Sequence, residues 1–309
     1  MNMPLQLIDT HTHFDDSRFD HDRLAQLKLA QNVGLKHIVI SGIESSGFNK
    51  IIDTQNQLNN APIPTQTHIA LGLHPFFIKN HCATDLSTLE NYIKKHKLIA
   101  LGEIGLDTFT KEMKQPDVFN KQQDFFIAQL DLAVKYKLPV LLHIRKAHAQ
   151  SLQILKKHEY NAHKLGGIAH SFSGGEQEAK AFINLGFKLG ITGQITNPNA
   201  KKLRRVVCAC VQQFGTSCLV IETDSPDMMP LNKQIMPISE QVRDDKQLTT
   251  SSISEANQLS QQINRNTPAN LLHILTVLSQ LINCDCETLA KQLWQNSTQA
   301  LQVNWKYPS

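Results

Sequence analysis

The chain has 309 residues, 41% of them hydrophobic and 19% charged, which provides for a sizeable core and excludes a largely disordered chain. Lys and Arg outnumber Asp and Glu by 31 to 27, and the resulting charge of +4 is too small to indicate a polyanionic partner unless a specific site does so. The longest apolar runs, at 98–101 and 138–142, are strand-length and far short of the roughly 20 residues that span a bilayer.

The opening MNMPLQLIDTHTHFD has neither the basic n-region nor the apolar h-region of a signal peptide, so a cytoplasmic location is expected. Short apolar runs then alternate with longer amphipathic stretches. A strand is predicted at 5–8 and a helix at 22–32, followed by the pairs 37–40 and 48–58, 68–71 and 86–96, 98–101 and 119–136. The alternation continues through 139–142 and 147–158, 167–169 and 177–185, 187–191 and 200–214, and reaches an eighth strand at 218–221. Two late amphipathic segments, 268–281 and 287–300, supply an eighth helix and a closing one. Repeated βα units predict an α/β fold with a parallel sheet.

The stretch 230–267 is rich in Ser, Thr, Gln, Asn and Asp with few apolar residues, and little of it can be buried. A polar, mobile excursion at about 232–266 is expected, a long βα loop that gates or extends a substrate path, within a single domain covering 1–309. Cys82, Cys208, Cys210, Cys218, Cys284 and Cys286 form no disulfide framework, and their two C-x-C pairs lack the C-x-x-C spacing of zinc knuckles and thioredoxin-like sites. Reduced thiols are expected.

The first strand runs into Asp9-Thr-His11-Thr-His13. Residues two apart on a strand share a side, so two imidazoles can meet one cation, although H-x-H alone equally fits two polar histidines at a strand end. Spacing favours the cation. Glu103, His143, His170 and Asp224 each follow a predicted strand, with 27 positions from His143 to His170 and 54 from there to Asp224, one βα repeat and then two. Only a closed ring brings such strand ends to one point, so a (β/α)8 TIM barrel is predicted over a doubly wound sheet. Four imidazoles and two carboxylates suffice for two divalent ions with positions left for water, the arrangement that supports in-line displacement. His74 and Arg145 also fall near this mouth and are expected to bind substrate phosphate. No dinucleotide fingerprint, Walker pattern or G-x-S-x-G elbow occurs, so no nucleotide cofactor is expected, and no obligate protein partner is evident.

Six ordered motifs carry a resemblance: Asp9-Thr-His-Thr-His-Phe-Asp15, Gly72-Leu-His-Pro75, Gly102-Glu-Ile-Gly-Leu-Asp107, His143-Ile-Arg145, His170-Ser-Phe-Ser-Gly174 and Glu222-Thr-Asp-Ser-Pro226. Together they resemble the TatD family of metal-dependent deoxyribonucleases. The resemblance implies an amidohydrolase-like barrel that cleaves phosphodiester bonds of DNA with two divalent ions, Mg²⁺, Mn²⁺ or Zn²⁺. It implies that His11, His13 and Asp224 hold one ion, His143 and His170 the other, and Glu103 bridges, with Asp224 orienting or deprotonating the attacking water. The chain departs from the family at Thr108-Phe109, where aromatics often follow Asp107, at Phe76 after His-Pro, and in the longer polar excursion. The alternatives are a C–N or phosphotriester hydrolase of the wider amidohydrolase kind and a non-catalytic metal-binding barrel. Many of the former use a carboxylated lysine, and no Lys lies in 99–105; the latter would be expected to lack ligands.

Overall fold

A computed structural model describes residues 5–231 and 265–308. Eight strands form one sheet in chain order, β1 (Leu7–Thr12), β2 (Leu35–Ser41), β3 (Gln66–Leu71), β4 (Ala100–Asp107), β5 (Val140–Arg145), β6 (Ile168–Ala169), β7 (Lys188–Ile191) and β8 (Leu219–Ile221). Every neighbouring pair is parallel, with helices between the strands, as a (β/α)8 barrel requires. The ring closes just beyond the ladders: Asp224 N–H donates to the His11 carbonyl at 3.0 Å and His13 N–H to the Ser225 carbonyl at 2.8 Å. Asp9 reinforces this seam, accepting from Thr223 N–H at 2.9 Å and Thr223 Oγ1 at 2.6 Å.

Two apolar layers follow from the strand alternation. Leu7, Ile38, Ile40, Ile69, Leu71, Leu101, Val140, Leu142, Leu189, Leu219 and Ile221 join the helices in the main core. Val39, Ala70, Ala100, Leu141, Ile168 and Val220, one from each of six strands, form a separate cluster with Ala300 and Leu301. The barrel interior is thus packed near its base, and the chain beyond the last helix plugs it, with Val303 and Trp305 packed alongside.

Helix ends have local causes. The helix Pro116–Tyr136 begins with proline at its first position, where no N–H is needed, and stops at Lys137 in the left-handed region (φ 55°). Asp285 caps Cys286–Ala300 by accepting from Thr288 N–H at 2.8 Å. Among the described residues no helix is long and apolar enough to cross a membrane, and all six cysteines are free thiols.

The structure corrects several boundaries. β1 starts later and runs further than the predicted 5–8, and β4 and β5 extend beyond 98–101 and 139–142, so His11, Glu103 and His143 lie inside strands rather than after them. Apolar runs end where the polar site begins, but the backbone ladder continues through it; β4 is buried over all eight of its residues. A one-turn helix, Ala162–Leu165, was not anticipated. Most of the polar excursion, 232–264, lies outside the described residues. Its last two residues, Arg265 and Asn266, are buried at 5% and 0% exposure, contrary to the expectation for that stretch. Asn266 Nδ2 donates to the carbonyls of Thr223 at 2.8 Å and Met228 at 3.3 Å, which satisfies both its amide and the loop that follows β8.

Candidate metal centre

At the C-terminal mouth of the barrel the structure gathers His11, His13, His74, Glu103, His143, Arg145, His170 and Asp224. All but His11 line a cleft of about 390 Å³, joined by Ser171, Ser173, Gln194, Asp227 and Met228. A larger groove of about 760 Å³ opens between the starts of β3 to β5 and residues 301–305. None of the residues just named lines that groove, so size alone misplaces the chemistry.

Glu103 is the centre of the arrangement. Its Oε2 lies 3.2 Å from His11 Nε2 and 3.4 Å from His13 Nε2, while Oε1 lies 2.7 Å from His143 Nδ1, 3.2 Å from His74 Nε2 and 3.7 Å from His170 Nε2. Asp224 Oδ1 stands 3.7 Å from both His11 and His13, and its Oδ2 3.5 Å from His170 Nε2. Three overlapping groups have ligand atoms close enough to share a cation: His11, His13 and Glu103; His11, His170 and Asp224; and His74, Glu103 and His143.

The hydrogen bonds around each ring set which nitrogen faces the centre. His13 Nδ1 is 3.1 Å from the Ser41 carbonyl, an acceptor only, so Nδ1 carries the proton and Nε2 offers its lone pair. His170 Nδ1 makes no hydrogen bond, but it lies 2.9 Å from Glu222 Oε1, a negative charge that favours the proton on that nitrogen. His11 Nδ1 pairs with Ser41 Oγ at 3.1 Å. His143 Nε2 faces Asp107 Oδ2 at 3.2 Å, which turns Nδ1 inward. His74 differs: its Nδ1 accepts from Phe76 N–H at 3.0 Å, so its Nε2–H is a donor rather than a lone pair.

Electrostatics follow from this crowding. Burial pushes the Glu103 carboxyl up, and the imidazoles of His74, His11 and His170 more than reverse it, holding it well below the usual carboxylate range. Asp224 is likewise raised by burial and lowered further by His170. Burial lowers His170, yet Glu222 and Asp224 carry it well above the ordinary value; for His13 the balance of burial against Glu103 reaches about 9. The carboxylates favour positive charge at this spot. His11 Nε2 and Glu103 Oε2 are buried with no hydrogen-bond partner, although each polar atom costs about 1–3 kcal/mol when left unsatisfied. Two such atoms 3.2 Å apart, both with lone pairs to give, fit a cation between them.

The backbone holds these groups in place. Asp224 sits in the left-handed region at φ 55°, which a non-glycine residue occupies only when its surroundings enforce it; the bonds to His11 and the Asn266 clamp do so. At Gly190 on β7, a Cβ would run into the Glu222 carboxylate, so glycine there makes room for it. Glu222 is fully buried, accepting from Thr10 Oγ1 at 3.0 Å and Ser171 N–H at 2.6 Å. Glu222, Asp107 and Asp9 stand in the sequence motifs but are given no role there, and Ser41 is not singled out. Glu222 precedes Asp224 by two, the same spacing that paired His11 with His13, and that signal could have found it.

A parallel eight-stranded barrel with imidazoles and carboxylates converging at its C-terminal mouth is the frame of a metal-dependent hydrolase. The model of the TatD related DNase family matches residues 8–302, and the chain belongs to this family. It is 37% identical over 232 residues to the uncharacterized metal-dependent hydrolase YjjV of Escherichia coli, covering 74% of this chain and 83% of that protein. The crystal structure of YjjV, a TatD homologue, superposes with a TM-score of 0.78 at 30% identity over 98% of this chain and 100% of the other. The 3'-5' ssDNA/RNA exonuclease TatD of a Pantoea strain is 26% identical, over 96% of this chain and 100% of that one.

Proposed function

We propose that this hydrolase cleaves phosphodiester bonds of nucleic acid, DNA first among them, at a centre for two divalent ions. The observation that carries the proposal is the two-sided Glu103 carboxylate, with Oε2 facing His11 and His13 and Oε1 facing His143. His11, His13 and Asp224 would hold one ion, and His143 and His170 the other, with Glu103 between. Bound there, Mg²⁺, Mn²⁺ or Zn²⁺ would supply positive charge that acidifies water and offsets the charge developing on a phosphoryl group.

The chain's own residues do the rest. Asp224, ionised and itself one of the ligands, orients or deprotonates the attacking water. The Arg145 guanidinium supplies donors for phosphate oxygens at the cleft wall, and His74, whose Nε2 lies 3.2 Å from Glu103 Oε1, stands beside it. Glu222 and Asp107 keep the tautomers of His170 and His143 correct. The reading takes 1–309 as one barrel domain that works in the cytoplasm. The relative named as an ssDNA/RNA exonuclease supports the substrate class. Glu103 in place of a lysine on β4 disfavours the carboxylated-lysine chemistry of C–N hydrolases.

The test is hydrolysis of single-stranded, double-stranded and end-labelled DNA by protein stripped of metal and reloaded, with products mapped by length. Metal-dependent cleavage of a phosphodiester is expected. Turnover confined to amides or phosphotriesters would replace the proposal.

A further inference from the structure

Eight large apolar side chains are exposed among the described residues, and four of them, Phe76, Phe109, Met229 and Leu231, stand on the loops that leave β3, β4 and β8 at the barrel mouth. Isolated Leu or Val on a helix surface is ordinary. Two phenyl rings, Phe76 and Phe109 at 42% and 45% exposure, beside a metal centre call for a partner.

Phe109 is held in register with the reaction centre. Its N–H donates to Asp107 Oδ1 at 2.7 Å, and the other oxygen of that carboxylate lies 3.2 Å from His143 Nε2. Thr108 fastens this loop to the end of β5, donating from N–H to the Arg145 carbonyl at 2.9 Å and from Oγ1 to the Lys146 carbonyl at 2.7 Å. Two cations lie against the ring: the Arg145 guanidinium carbon is 3.6 Å from its centroid and Lys146 Nζ is 5.1 Å away. Arg145 also lines the metal cleft, so one side chain joins the ring to the site of phosphate chemistry.

We infer that Phe109 is a stacking platform for an unpaired base beside the scissile bond, with Arg145 and Lys146 on the adjoining phosphates. The inference rests on the phosphodiesterase reading above. A base in a duplex already has both faces covered, whereas an unpaired one gains by lying on an exposed ring, whatever its sequence. A guanidinium stacked on the ring keeps its N–H edge free for phosphate. Phe76, on the loop after β3, offers a second ring for a neighbouring base.

The test compares wild type, Phe109→Ala and Phe109→Trp on oligothymidylate and on an oligonucleotide of equal length built of abasic residues. Loss of a stacking partner should raise KM of Phe109→Ala on oligothymidylate about tenfold with kcat within about twofold, and leave the abasic substrate unaffected. Phe109→Trp should keep the wild-type KM, and in metal-free protein its emission should be quenched by oligothymidylate; the native Trp294 and Trp305 belong to the C-terminal segment that packs at the barrel's other end. Unchanged KM in Phe109→Ala, or an equal rise on the abasic substrate, with an unaltered melting temperature, would overturn the platform alone. Failure of metal-loaded wild type to hydrolyse any phosphodiester would remove the parent reading and the platform with it.

Discussion

The buried Glu222 carboxylate lies 2.9 Å from His170 Nδ1, on the side of the ring away from Asp224 and Glu103. A carboxylate behind a ligating histidine fixes its tautomer and raises its basicity, and losing one commonly costs about 10–100-fold in metal affinity or activity. Glu222→Gln should therefore weaken metal binding by about that factor, measured by calorimetric titration of the stripped protein. Gly190→Ala should reproduce part of the loss, since the added methyl displaces the same carboxylate. Wild-type metal affinity in Glu222→Gln would show that His170 needs no such support.

Glu103→Gln and Asp224→Asn replace the two carboxylates that face the imidazole ring with amides of the same shape. Both residues occupy the functional end of the barrel rather than its packed base. Each substitution should reduce kcat at least about a hundredfold, the scale for a dominant electrostatic group, while circular dichroism and melting remain those of a folded barrel. Retention of wild-type turnover by either variant, purified with metal, would sink the assignment.

Chelation should abolish turnover, and Mg²⁺, Mn²⁺ or Zn²⁺ should restore it to different extents, because mixed nitrogen and oxygen ligands accept several divalent ions. His11→Ala and His143→Ala touch opposite oxygens of Glu103, so each should lower the metal content by about one ion per chain. Elemental analysis checks this. Full activity in protein shown to be metal-free would remove the two-ion centre altogether.

Much of the fold was legible because βα alternation is a pattern of period, and period survives in a single sequence. All eight strands appear at or beside the predicted runs, and the helices differ by a few residues at their ends. The eight candidate residues stood out by different signals: H-x-H for His11 and His13, position after a predicted strand for Glu103, His143, His170 and Asp224, the last three spaced by the repeat length, and nearness to the mouth for His74 and Arg145. What stayed hidden were groups whose role depends on a partner distant in sequence. Asp9 closes the barrel through Thr223, 214 positions away, and Ser41 meets His11 across two strands. His37 marks no more in the sequence than the start of a predicted strand. In the structure it pairs through Nδ1 with His68 Nε2 on the neighbouring strand at 3.0 Å and stacks on Trp305 at 3.7 Å, the latter a contact that exists only once the C-terminal segment has folded beneath the barrel.

That histidine pair sets a pH limit on stability, far from the metal centre. Burial, aided by His68 and Lys36, lowers the His37 pKa to about 3, and burial with Lys97 lowers that of His68 to about 4, whereas an unfolded histidine titrates near ~6.5. Below that value the unfolded chain takes up protons that the folded chain refuses, so stability is fully present above about pH 6.5 and is lost as pH falls towards the folded values. The hydrogen bond between the rings adds to this, since it requires one nitrogen to accept and two imidazolium rings would present only donors. The double variant His37→Phe/His68→Gln keeps a ring on Trp305 but has nothing to protonate. Its melting temperature should fall less steeply between pH 6.5 and 4.5 than that of wild type, followed by calorimetry at constant ionic strength. Parallel curves for the two proteins would mean that the pair titrates normally and that acid sensitivity resides elsewhere.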